Sequence, residues 1–169
     1  MDLLFTIVKV PGLDLGGSRI VRRAYRAVVV DGDRILLVRD RLHGELKFPG
    51  GGAEPGEYAF AALARETAEE TGYRIKSRIR PFGIVREYGL ANDGTTVFVN
   101  ESHYYFCSVH PEPGPQRLSE YEVEYGFEPV WIALDRAIVE NEAVPDDPAI
   151  AWKRRETEVL KLLLGRKIT

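Results

Sequence analysis

The stretch that decides the fold is Gly51–Tyr73, GGAEPGEYAFAALARETAEETGY. It sets Gly51, then Glu57, then Arg65-Glu66, Glu69-Glu70 and Gly72. A helix advances about 100° per residue, so Glu66, Glu69 and Glu70 fall within roughly 100° of one another. Three like charges so placed repel, and a bound cation removes the conflict. Magnesium takes carboxylate oxygens together with water and substrate phosphate oxygens. Phe60, Leu63, Ala64, Thr67 and Thr71 form a separate stripe that can pack on a sheet. The acids are then expected to face out of the core. Upstream, Pro49-Gly50-Gly51-Gly52 lets the backbone approach a ligand without Cβ obstruction. Pro55-Gly56 is a turn signal, which predicts a helix over 57–71 with Glu57 in its first turn, where negative charge suits the dipole. Gly72 stands where a helix C′ glycine is expected.

An acidic helix face is usually a solvated face, and a triple glycine usually a loop. It is the joint pattern that carries meaning. The segment resembles the Nudix box, Gly-x5-Glu-x7-Arg-Glu-U-x-Glu-Glu-x-Gly-U with U apolar. Every charged and glycine position matches, while Thr67 and Tyr73 stand at the two U positions. The flanks RAYRAVVVDGDRILLVRD and PVWIALDRAI extend the resemblance over roughly residues 22–142. It implies an α/β fold with a mixed sheet: an α/β/α sandwich, the central mixed β-sheet flanked by helices.

The resemblance implies cleavage of the pyrophosphate bond of a nucleoside diphosphate linked to another group, by water attack on phosphorus. Glu66, Glu69, Glu70 and the Gly51 carbonyl are the implied metal ligands, for Mg²⁺ with Mn²⁺ as a substitute. Glu66 and Glu69 are also catalytic candidates. Glu57 is a weaker ligand candidate; alternatively it pairs with Arg65 and orients the helix, the role favoured for Arg65 over phosphate contact. The general base is a box glutamate or a later acid, with Glu120, Glu122, Glu124 and Glu128 the remote candidates. Arg39, Arg41 and Arg86 are the candidate phosphate contacts. Tyr88, His103, Tyr104 and Trp131 could stack on a base, but their strand spacing favours core packing. A nucleotide-binding sensor on the same fold is the alternative, against which the complete carboxylate set argues.

The box identifies a bond type rather than a molecule. The aromatic-proline motif of NADH pyrophosphatases and the upstream motif of coenzyme A hydrolases are not found. Tyr88 is a near match to the tyrosine of dinucleoside polyphosphate hydrolases. A nucleoside triphosphate, a nucleotide sugar, a dinucleoside polyphosphate and a capped RNA end remain open as substrates.

The remaining chain is ordinary. With 169 residues one compact domain is expected over 21–169, preceded by an extension strand within 1–20. A net charge of −3 argues against an extended nucleic-acid surface. The lone Cys107 cannot form an internal disulfide and reads as a buried small residue, which fits a cytoplasmic setting. Leu3 to Val8 is too short to span a membrane. The scattered histidines do not suggest zinc, and no Gly-Lys-Ser/Thr follows the glycines to make a P-loop.

Residues 3–10, 26–30, 34–39, 82–88, 96–109 and 128–132 read as strands. Asp31-Gly32-Asp33 marks a hairpin and Asn92-Asp93-Gly94 a turn. Residues 110–119 read as a loop and 134–141 as a short helix. A last helix is expected from an Asp147-Pro148 cap to about Leu164. The first strand and the leucine-rich final helix are the candidate surfaces for a homodimer.

Overall fold

The computed structural model describes residues 1–145 and 152–166. The strands are β1 (Leu3–Val8), β2 (Arg19–Val28), β3 (Val30–Asp31), β4 (Arg34–Arg39), β5 (Leu46–Lys47), β6 (Ile75–Leu90), β7 (Val97–Val109) and β8 (Glu128–Ala133). The helices are α1 (Ala59–Thr71), α2 (Glu120–Glu124), α3 (Leu134–Ala143) and α4 (Lys153–Gly165). The expected mixed sheet is present in the order β1-β6-β7-β2, with β1 and β2 joining their neighbours parallel and β6 pairing β7 antiparallel. The other strands form a second, antiparallel sheet in which β4 pairs β3, β5 and β8.

Period-two alternation decides what each face buries. On β4, Ile35 and Leu37 enter one core with Val28, Phe48, Tyr104 and the α4 residues Leu160 and Leu163. Leu36, Ala27 and Val29 point the other way, against Leu63 of α1. The sheets thus lie between α1 on one side and α3 with α4 on the other, the three layers expected. The leucine-rich end of α4 is part of the core at Leu160 and Leu163, whereas Leu164 is exposed.

Several local expectations change. The helix begins at Ala59 rather than Glu57, because the Pro55-Gly56 turn, with Gly56 at φ +80°, runs on to a Glu57 N–H to Glu54 carbonyl bond at 2.9 Å. Phe60 is exposed and Ala62 takes its place beneath the helix. Strand β6 starts seven residues before the predicted Phe82, with Pro81 at an irregularity in the β6–β7 register, where a missing N–H is tolerated. Between the predicted 110–119 loop and the 128–132 strand, α2 forms under a capping box between Ser119 and Glu122. The hairpin turns at Gly32-Asp33 between Asp31 and Arg34, with Gly32 at φ +61°. Gly72 closes α1 at φ +76°, donating to the Ala68 carbonyl. The Asp147-Pro148 cap lies outside the described residues. No described helix is long and apolar enough to cross a membrane.

Candidate active site

The glycine run is laid alongside β2 like a further strand. Ala27 N–H donates to the Pro49 carbonyl at 2.8 Å and Tyr25 N–H to the Gly51 carbonyl at 2.9 Å. Gly50, at φ +133°, sits so close that a Cβ would fall 2.0 Å from the Tyr25 carbonyl oxygen. The Gly51 carbonyl, a candidate ligand, therefore already accepts one bond and keeps one lone pair. At Gly51 a Cβ would lie 2.3 Å from a Glu66 carboxylate oxygen, so the absent side chain is what lets that carboxylate rest on the backbone.

Helix α1 presents its acids in three different settings. Glu70 is buried, contrary to the expectation that all three acids face outward. Gly50 N–H donates to it at 2.7 Å and Lys47 Nζ lies 2.6 Å away. Glu66 is partly buried; burial first, and the Glu70 charge next, push its carboxyl above the ordinary range. Glu69 is the most exposed of the three. Arg65 ties the set together. It forks onto Glu57 at 3.0 and 2.9 Å, reaches Glu66 at 2.9 Å and Glu69 at 3.1 Å, and donates to the Gly52 carbonyl at 3.1 Å. The fork holds the Glu57 carboxyl down at about 2.

Among the described residues no three acidic, histidine or cysteine side chains are gathered into a ready cation site. The box acids are neutralised by the chain's own cations, Arg65 for Glu66 and Glu69, and Lys47 for Glu70. The donor set nevertheless suits a hard divalent ion. It is all oxygen, it sits where the backbone is bared at Gly51, and the repulsion acting on Glu66 is one that a cation relieves.

A cavity of about 330 Å³ opens over these groups. Glu66 and Glu70 line it with Gly50, Gly51 and Gly52, and four cations that sequence reasoning missed stand around it: Arg22, Arg26, Lys47 and Arg155. Arg26 is buried and donates Nη1 to the Gly50 carbonyl. Burial, then the neighbouring Arg26 and Arg155, lower the Arg22 pKa. Arg22 and Arg26 are four apart on β2, hence on one face, a signal readable from Arg22–Arg26, RRAYR.

The three arginines expected at the phosphates are elsewhere. Arg39 pairs with Glu140 at 2.8 Å, Arg41 with Glu128 at 3.2 Å and Arg86 with Glu101 at 2.8 Å, and none lines the cavity. Arg39 ends β4, Arg41 follows it and Arg86 lies within β6, and each is held by a nearby carboxylate instead. Of the remote base candidates, Glu122 lines the cavity from α2, while Glu120, Glu124 and Glu128 do not. The aromatic candidates follow the packing alternative: Tyr104 is buried edge-on to Phe48, and Trp131 donates Nε1 to the Tyr73 hydroxyl at 3.1 Å. His103 sits 5.6 Å, centroid to centroid, from the Tyr25 ring, and neither it nor Tyr88 lines the cavity.

Known structures share this fold. A NUDIX hydrolase from Nitrosomonas europaea superposes with a TM-score of 0.56 at 22% identity, covering 83% of this chain and 90% of that one. The MutT protein of Bacillus halodurans gives 0.56 at 24% identity, with 82% of each chain covered. A MutT NUDIX hydrolase from Burkholderia pseudomallei gives 0.52 at 23% identity, over 82% of this chain and 97% of that one. These likenesses establish the fold. No match was found among curated proteins. The NUDIX domain family matches residues 21–153, so the chain belongs to that family.

Proposed function

We propose that this cleft hydrolyses the pyrophosphate bond of a nucleoside diphosphate joined to a second group, with a divalent cation held by Glu66, Glu69 and Glu70. One observation carries the reading: one cavity is lined by Glu66 and Glu70 together with Arg22, Arg26 and Lys47. Acids alone would repel a phosphate chain and cations alone would repel a metal. Side by side, they suit both.

Arg22 and Arg26 bind the non-bridging oxygens of the diphosphate and neutralise charge that grows as the bridging P–O bond breaks. Arg26 is fixed by Gly50, so it needs no reorganisation at that moment. Magnesium or manganese, when bound, supplies Lewis acidity and a more acidic water. The attacking water forms a new P–O bond, the bridging oxygen leaves with the electron pair, and a carboxylate takes the water's proton. Glu122, which lines the cavity from α2, is one candidate for that task, and Glu66 is the candidate within the box. Arg65 acts as a positioning residue, holding Glu66, which lines the cleft, and Glu69 beside it on the helix.

The test is phosphate release from a panel of nucleoside triphosphates, nucleotide sugars and dinucleoside polyphosphates with Mg²⁺ or Mn²⁺. Glu70→Gln is expected to lower kcat by several orders of magnitude, and an unimpaired variant sinks the assignment. Tight nucleotide binding without turnover under any metal condition assigns a sensor module instead.

A further inference from the structure

Adjoining the carboxylate cleft is a second cavity of about 300 Å³, and the two share Arg22, Arg26, Trp152 and Arg155 as walls. Beyond that wall the second cavity is lined from β6 and β7 by Glu87, Gly89, Phe98 and Asn100. Three buried polar atoms around the pair have no hydrogen-bond partner among the described residues: Arg26 Nε, Trp152 Nε1 and Glu87 Oε1. Leaving a buried polar atom unpaired is costly, and in native structures such an atom marks water, an ion or a ligand.

Glu87 is the informative member. It is 2% exposed. Its Oε2 accepts from Asn100 Nδ2 at 2.9 Å and from Arg155. Among the described residues its Oε1 faces only Lys9 Nζ, an ion pair at 3.1 Å without hydrogen-bond alignment, from a side chain 38% exposed. Burial pushes the Glu87 carboxyl up, but Arg155 and Lys9 outweigh it and hold the group ionised. Glu87 is thus a carboxylate with spare acceptor capacity.

The three atoms together restrict what enters. Arg26 Nε and Trp152 Nε1 want acceptors, which a phosphate or a carbonyl provides. Glu87 wants a donor, which a phosphate lacks. A free cation is disfavoured by Lys9, Arg22 and Arg26 around the cavity, and Phe98 offers an apolar surface to a flat ring. A neutral ring carrying N–H beside C=O meets every condition.

Resting on the pyrophosphohydrolase reading, we propose that the second cavity seats the nucleobase of the substrate and that Glu87 selects oxo bases. Guanine, uracil and thymine present a ring N–H next to a carbonyl. Adenine and cytosine place a ring nitrogen acceptor at the equivalent edge, lone pair against carboxylate. The diphosphate then runs past Arg22 and Arg26 to the carboxylates of α1.

Calorimetric titration with Mg²⁺ and methylene-bridged, non-hydrolysable triphosphate analogues tests this independently of turnover. The guanosine and uridine analogues are expected to bind the parent protein ~10-fold or more tightly than those of adenosine and cytidine, because a site set for a ring N–H meets a ring lone pair in the other two and leaves the buried carboxylate oxygen unpaired. Glu87→Gln, whose amide can donate or accept, is expected to bring the four together. Glu87 also holds Arg155, so a second variant guards against misfolding. A Cβ on Gly89 meets nothing within 4 Å, and its φ is not left-handed, so Gly89→Phe fills the cavity without backbone strain. It is expected to reduce every nucleoside analogue to the affinity of ribose 5-triphosphate, which has no base. Equal binding of all four bases by the parent, or an unchanged base preference in the folded variants, overturns the proposal. Base-selective binding with no hydrolysis of any substrate leaves it standing and removes only the enzymatic reading.

Discussion

Arg65 holds Glu57 through a two-point fork, Nε to Oε1 at 3.0 Å and Nη2 to Oε2 at 2.9 Å, although Glu57 lies before the helix that carries Arg65. The remaining guanidinium nitrogen is shared between Glu66 and Glu69. Losing the fork frees both acids at once. Arg65→Ala is expected to cost ~10–100-fold in kcat, the scale seen when partners behind metal ligands are removed. Arg65→Lys is expected to recover little, since an ammonium cannot reproduce the planar fork. A steady-state comparison with the Glu57→Gln variant checks this: equal losses place both in one unit, and an active Arg65→Ala enzyme excludes the brace.

Adjacent glycines should fail in different ways. At Gly50 an added Cβ meets the Tyr25 backbone and the φ is left-handed, so Gly50→Ala is expected to lower the melting temperature sharply. At Gly51 the obstacle is the end of the Glu66 side chain, which can swing aside. Gly51→Ala is expected to keep a near-parental melting curve while losing about 100-fold in activity, the effect of misplacing a reacting group by an ångström. Differential scanning fluorimetry beside initial rates separates the two.

Cation binding should register in stability even without substrate. A ligand at a hundred times its Kd adds about 2.7 kcal/mol to the folded state. Millimolar Mg²⁺ or Mn²⁺ is therefore expected to raise the parent's melting temperature by several degrees and to leave Glu70→Gln nearly unmoved. Equal shifts in both proteins would show that the ion binds elsewhere.

Stability should also fall with rising pH through one residue remote from the cleft. Glu45 is buried, with neither carboxylate oxygen hydrogen-bonded among the described residues, and burial raises its pKa from 4.5 to about 7 despite the pull of Lys153. Below pH 4.5 folded and unfolded chains are both protonated there and nothing is lost. From about 4.5 to about 7 the unfolded chain ionises first, so folding weakens, and above that the loss is complete. Glu45→Gln is expected to match the parent in urea unfolding at pH 4 and to exceed it at pH 8 by ~2–3 kcal/mol. The reverse order at pH 8 would show that the ionised form is well solvated.

What could be read in the chain followed from local rules. Glu66, Glu69 and Glu70 share a helical face by spacing alone, and Gly72 and Gly32 occupy backbone conformations that their neighbours foretold. The burial of Glu70 was hidden because it depends on Lys47 and Gly50, which only the fold brings to it. Arg39 and Arg41 were attractive by nearness to the box along the chain, yet Glu128 and Glu140 arrive from β8 and α3 to hold them. Arg22 lies farther away in sequence and reaches the cleft because β2 runs beside the glycine turn. Arg155 and Trp152 come from the other end of the described chain.

The parallel pairings of β1 and β2 carry a consequence for how the chain reaches this state. Leu3 must find Ile84 before β1 has a neighbour, and Arg19 must find Val97 before β2 is joined to its sheet. During synthesis both strands emerge long before their partners exist, with Ala27, Val28 and Val29 uncovered. Such distant pairings fold slowly and leave sheet edges open to other chains. Refolding yield should therefore decline with protein concentration, and fragments ending before β7 should be recovered in aggregates.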